Sequence, residues 1–187
     1  MMKIKQVLGQ IIPSIMAFSA NCEIHKKKDK INIPNNISEE SFAELSNDYN
    51  ESLNSKNRFE DKAKTILASL TIAITLVLNL STLIDRIINK VPYEWQKGFV
   101  FALAVLSIVY MLSAGLLSIK VLIKENIVFN ISLEDRTNKN KTAFYEATQC
   151  NIYQNLIRNN IMYAAYLSIR NSVICLMILF CCSICPY

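Results

Sequence analysis

The sequence predicts an all-α integral membrane protein with two to three transmembrane helices and a cytoplasmic helical hairpin. Three observations carry that expectation. Of the 187 residues, 52% are hydrophobic and only 19% are charged, against the roughly 25% usual for a soluble domain. Two runs, Thr65–Ile84 and Gly98–Ile119, hold no Asp, Glu, Lys or Arg, and about 20 apolar residues suffice for a helix to cross a hydrocarbon core. A third uncharged run, 171–187, follows Arg170. Three Gly and four Pro exclude collagen-like and Gly- or Pro-rich linker classes. Nineteen Asn beside many Ile and Lys indicate a compositional bias that weakens any argument from a single Asn.

In chain order, residues 1–37 read as an N-terminal amphipathic helix and a basic linker. Ile4, Leu8, Ile11, Ile15 and Phe18 recur at spacings of three and four and so share a face, although Gly9 and Pro13 weaken the helix. Lys3 and Lys5 ahead of an apolar stretch also fit a signal peptide, but secretion would export the basic residues that follow. The run His25–Lys30 has two readings. Lys26, Lys27, Lys28 and Lys30 could contact anionic lipid headgroups, or they could form a solvated linker.

Pro34, Asn35 and Asn36 mark a turn. A cytoplasmic helix is then expected over 38–64, with Glu39, Glu40 and Glu44 early, where the helix dipole favours carboxylates. Its stripe of Phe42, Leu45, Tyr49, Leu53 and Phe59 leads into a transmembrane hairpin over 65–119. The connection 85–97 holds Pro92, Tyr93 and Trp95, a turn former and two residues that favour the headgroup level. Residues 120–170 form a cytoplasmic helical segment: 120–133 extends the second span, 134–141 (EDRTNKNK) is a turn, and from Thr142 a helical pattern resumes with Phe144, Ala147, Ile152, Leu156, Ile161, Ala164 and Leu167. A third transmembrane helix then covers 171–187.

Orientation follows from the cations. Residues 1–64 carry ten Lys and Arg, the connection 85–97 three, and residues 120–170 seven. The excess places the N-terminus and the 120–170 segment in the cytoplasm at an inner membrane.

Chemistry is sparse. There is one His, no Gly-rich phosphate loop and no nucleophile elbow. Cys182-x-x-Cys185 has metal-like spacing but lies in an apolar run with no second pair. No catalytic residue, metal or cofactor is expected, and no nucleic-acid contact. In the first span Thr71, Thr75, Asn79 and Thr82 share one helical face, which either packs against another helix or lines a pore. In the second, Ala104, Ser107, Ala114, Gly115 and Ser118 form a small-residue face for close helix packing.

The stretch RFEDKAKTILASLTIAITLVL (58–78) resembles the start of the first span in Pycsar transmembrane effectors, where an acidic residue and the pair KA precede it. LAVLSIVYMLSAGLLSIK (103–120) is similar to the second helix of SLATT-type effectors. The resemblance implies an oligomeric inner-membrane effector or sensor of a prokaryotic antiviral defence system, which perturbs the membrane when a cytoplasmic protein partner triggers it. A different reading is a non-catalytic membrane anchor that recruits a soluble partner through its cytoplasmic helices. Both imply membrane lipids as partners, and the first implies a homo-oligomer.

Overall fold

A computed structural model describes residues 9–28, 31–34, 36–90, 93–123 and 128–184, with the side chains of 72–83, 86, 87, 90, 183 and 184 left undescribed. The described residues are helical with no strand. In chain order the helices are α1 (Pro13–Lys28), α2 (Phe42–Lys90), α3 (Glu94–Leu122), α4 (Leu133–Thr137) and α5 (Lys141–Ile184).

Pro13 opens α1, where its missing N–H breaks no intrahelical bond. The sequence reading placed the basic run after this helix. The structure instead keeps His25, Lys26, Lys27 and Lys28 in its last turn, where cations oppose the negative end of the dipole. After the turn at Asn36–Glu39, α2 begins at Phe42, later than the expected Ser38. It then runs unbroken for 49 residues, roughly 74 Å at 1.5 Å per residue. The connection between α2 and α3 is shorter than the sequence suggested, and Trp95 lies in the first turn of α3 rather than in a loop.

The expected helical extension of 120–133 does not form. α3 stops at Leu122, Ile123 is extended, and 128–132 is irregular. The polar stretch after it contains a one-turn helix. Ser132 Oγ accepts the amide N–H of Asp135 at 3.0 Å, closing the N-terminus of α4. Lys139 takes the left-handed conformation, φ 50°. Asn140 Oδ1 accepts the Ala143 N–H at 3.3 Å and starts α5.

The residue pairs fix the packing. Tyr49 meets Phe144, Ser52 meets Asn155, and Ile66 and Leu70 pack with Ile157 and Ile161, so α2 and α5 run parallel. Ser107 bonds Ser172 while Val100 and Leu103 pack on Leu179, so α3 is antiparallel to α5. Asn21 pairs with Asn160 and Gln10 with Arg170, so α1 is antiparallel to α5 as well.

One rule organises α5. Phe144, Ala147, Asn151, Gln154, Arg158, Ile161, Ala165, Ser168, Ser172, Cys175 and Leu179 alternate spacings of three and four, and all are buried. This is the spacing of a coiled-coil seam. The stripe expected from the sequence agrees at Phe144, Ala147, Ile161, Ala164 and Leu167 but fails in the middle. Ile152 and Leu156 are exposed, and Asn151, Asn155 and Arg158 take the interior. On α3, Val100, Ala104, Ser107, Met111, Ala114, Ser118 and Val121 follow the same alternation and are buried.

Two helices, Glu94–Leu122 and Lys141–Cys182, are long and apolar enough to cross a membrane. Most of the side chains of the first uncharged run, 65–84, lie outside the described residues.

Candidate functional site

The molecule has two tiers. In one, α2 and α5 bury polar groups against each other and against the 128–131 segment. Asn151 carries the centre. Its Oδ1 accepts the Phe129 N–H at 2.8 Å, while its Nδ2 reaches the Phe129 carbonyl at 3.3 Å and Ser52 Oγ at 3.4 Å. One side-chain amide thereby satisfies both backbone groups of a residue that has no helix to do so. Asn155 Nδ2 donates to the Ser52 carbonyl at 2.8 Å, and Arg158 Nη1 donates to Asn155 Oδ1 at 2.8 Å. Ser52 Oγ donates to the Tyr49 carbonyl at 2.6 Å, and the Tyr49 hydroxyl to the Phe129 carbonyl at 3.4 Å. Lys141 Nζ donates to the carbonyls of Ser38 and Glu40, tying the start of α5 to the chain ahead of α2.

Burial lowers the pKa of Arg158, while the Glu60 carboxylate pulls it back up. Cys150, beside this network, has its thiol pKa raised by burial; Lys28 opposes that shift and Glu146 adds to it. Asp135 is held below its usual range by hydrogen bonds from Ser132 and Asn140.

A groove of about 700 Å³ opens between α2 and α5 in this tier. Its floor includes Leu45, Phe59, Ile152 and Leu156, and Glu40, Asp48 and Glu51 stand on one wall. None of the residues lining it is Lys, Arg or His. A second hollow of about 540 Å³ lies between Lys56, Asn57, Glu60, Val121, Asn130 and Arg158.

The other tier is apolar. The small-residue face of α3 is placed against α5 and α2. Ala104, Ser107, Ala114 and Ser118 are buried. Ser107 and Ser172 face one another with their oxygens 2.8 Å apart, and Ser172 Oγ donates to the Ser107 carbonyl at 2.9 Å. Ser118 turns back on its own helix, donating to the Ala114 carbonyl at 2.9 Å. Gly115 is less constrained: a Cβ there would lie 3.4 Å from Leu70, an ordinary contact.

Of the polar stripe, Thr71 is exposed and donates to the Leu67 carbonyl at 3.1 Å. The side chains of Thr75, Asn79 and Thr82 lie outside the described residues. Lys26 and Lys27 are exposed, Lys28 stacks over the Phe129 ring at 4.5 Å, and Lys30 lies outside the described residues. The apolar face of α1 turns outward. Pro13 and Ala17 are buried, whereas Ile11, Ile15 and Phe18 are 52%, 48% and 69% exposed.

Arg170 is not at the mouth of the apolar stretch. Register through Ser107 and Ser172 puts it opposite the middle of the uncharged run 98–119. There its guanidinium donates to Gln10 Oε1 at 2.8 Å and to Asn171 Oδ1 at 3.1 Å. Asn171 Nδ2 donates to the Gln10 carbonyl at 2.7 Å, and the Tyr110 hydroxyl to the Ile11 carbonyl at 2.9 Å.

Sequence reasoning missed Ser52, Asn151, Asn155 and Arg158. The signal was present as the spacing 151, 155, 158, one helical face in continuity with Phe144 and Ala147.

The arrangement is that of a two-tier α-helical bundle with an outward apolar surface. No protein-family model matches the sequence, and no curated protein or solved structure matches it either.

Proposed function

We propose that this chain is a multi-pass inner-membrane protein, its polar tier and the Lys26–Lys28 end of α1 in the cytoplasm, that works as a non-catalytic oligomeric effector. A change at the polar tier, caused by a cytoplasmic partner, is carried along α2 and α5 into the bilayer. The observation that carries the membrane reading is the outward face of the apolar tier. Only 33% of the most apolar window of α3, and 33% of that of α5, is buried within the chain. Phe99, Phe101, Leu112 and Leu116 of α3 and Met177 and Phe180 of α5 are each more than half exposed. Apolar surface of this extent is stable in lipid and sticky in water. The cations agree with the orientation: Arg170 apart, sixteen of the twenty lie outside the connection 85–97 and three within it.

The role in antiviral defence rests on the resemblance of 58–78 and 103–120. Induced expression with a potential-sensitive dye, with and without phage challenge, tests it: loss of potential on challenge is expected, and unchanged potential in both arms overturns it. Carbonate extraction tests insertion independently, the protein being expected in the pellet and its appearance in the supernatant contradicting a spanning topology.

The groove between α2 and α5 favours a second reading, a membrane anchor that recruits a soluble partner. Binding of that partner by a chain with its apolar residues replaced, together with an undisturbed membrane potential, would select the anchor.

A further inference from the structure

Lys26 and Lys27 are exposed at the C-terminal end of α1, and no ion pair reaches them among the described residues. Asp48 and Glu51 are exposed at the groove between α2 and α5, and they too have no ion-pair partner among the described residues. The two sets of charges stand at the same height along the bundle. Lys28 stacks on Phe129, which Asn151 of α5 grips, while the groove is lined along α5 from Tyr145 to Asn159. They belong to different faces. α1 meets α5 at Asn160 and Asn171, whereas the groove opens where Ile152 and Leu156 face α2.

A second match lies above the first. The outward residues Ile15 and Phe18 of α1 stand level with Tyr163 and Tyr166 of α5, each 47% exposed, because Gln10 pairs with Arg170 and Asn21 with Asn160. One face of the chain is therefore basic below and apolar above. The other is acidic below and apolar above. Copies in one bilayer share a common height, so the first face of one copy meets the second face of its neighbour in register.

We propose that α1 of one copy docks along the α2–α5 groove of a second copy, its Lys26 and Lys27 against Asp48 and Glu51. The contact joins two different faces, so its repetition within the bilayer gives a ring where the rotation closes and an open row where it does not. It rests on the membrane reading for the common height of the copies. Charge complementarity of this kind sets register and partner choice more than affinity.

Carbodiimide, which joins an amine to a carboxylate only in direct contact, tests the pairing in the full-length protein in membranes. With a mixture of isotopically light and heavy chains, the expected product is a light–heavy peptide pair containing Lys26 or Lys27 and Asp48 or Glu51. The variant Lys26→Glu/Lys27→Glu and the variant Asp48→Lys/Glu51→Lys should each lose that product and shift the detergent-solubilised protein toward monomer. The fourfold reversal should restore the oligomer. Peptides joined only within one chain, or reversal without restoration, overturns the proposal. Loss of liposome binding by the lysine variant with oligomer size unchanged also overturns it, assigning these lysines to headgroups instead. Carbonate extraction separates the two ideas: a chain that leaves the pellet yet keeps the interchain product has lost the membrane reading and kept the interface.

Discussion

Residues 144–158 and 161–179 belong to one helix and follow one spacing rule, yet they bury opposite chemistry. After Phe144 and Ala147, the first half of the α5 seam sets Asn151, Gln154 and Arg158 inside; the second sets Ile161, Ala165, Ser168, Ser172, Cys175 and Leu179 there. In the polar half the interior serves a segment outside any helix, and Asn151 supplies the bonds that Phe129 lacks. In the apolar half α3 is helical and its backbone already satisfied, so small side chains bring it close and two serines interlock, while the carbonyls of Gln10 and Ile11, ahead of α1, take bonds from Asn171 and Tyr110 at the outer side of the seam. The spacing decides where a helix packs. The chemistry of the partner segment decides what fills the seam.

The comparison breaks most sharply at Asn151. Asn151→Ala should cost about 2–3 kcal/mol, because it leaves the part-buried Phe129 N–H unpaired and the Phe129 carbonyl with the Tyr49 hydroxyl alone. Thermal unfolding of the purified protein measures it, and a loss no greater than at an exposed position would mean that water replaces the amide.

The apolar half should respond to volume more than to polarity. Ser172→Leu should cost about 1–3 kcal/mol through overpacking. Ser172→Ala should cost nearer 0.6 kcal/mol, the usual worth of a hydrogen bond between membrane helices. The same unfolding assay ranks the pair, and the reverse order would place this seam with the polar half.

Gly115→Ala should stabilise by about 0.5–1 kcal/mol, since alanine is the better helix former and the added methyl meets Leu70 at ordinary contact distance. A drop in melting temperature would show that α2 and α3 pack closer than this.

The smallest effect belongs to the turn at the far end of the polar tier, just ahead of α5. Asp135 has a folded pKa below its unfolded one, so its contribution is present above the unfolded value and is lost as pH falls through the folded value. Protection of the amides across 132–137, measured against their intrinsic exchange rates, should fall over that acid window in the natural chain and not in Asp135→Asn.

Much of the architecture was legible. The apolar runs located α3 and the far half of α5, and alternation by three and four located the small-residue face at Ala104, Ser107, Ala114 and Ser118. The polar half was not legible, for a physical reason. Apolar spacing alone ranks Ile152 and Leu156 above Asn151 and Asn155 as interior residues, and that order is reversed by the Phe129 backbone, 22 residues away from Asn151, and by the Ser52 carbonyl that Asn155 meets. The abundance of Asn hid the exception. The same limit applies to α1. Its apolar face was evident, but Pro13 and Ala17 are the residues buried against the bundle, and Ile11, Ile15 and Phe18 remain outward.

The seam of α5 returns every seven residues on average, whereas a straight α-helix drifts by roughly 20° per heptad from such a repeat. Over the five heptads between Phe144 and Leu179 the mismatch reaches about 100°. Contact along the whole seam therefore requires the helices to wind about one another with a left-handed pitch, like strands of a rope. A wound pair obeys the kinematics of a threaded shaft, in which axial travel and rotation are not independent. If α5 advances along its neighbours at the Asn151 end, it must also turn at the Leu179 end, and the side chains presented there change azimuth with each step of travel.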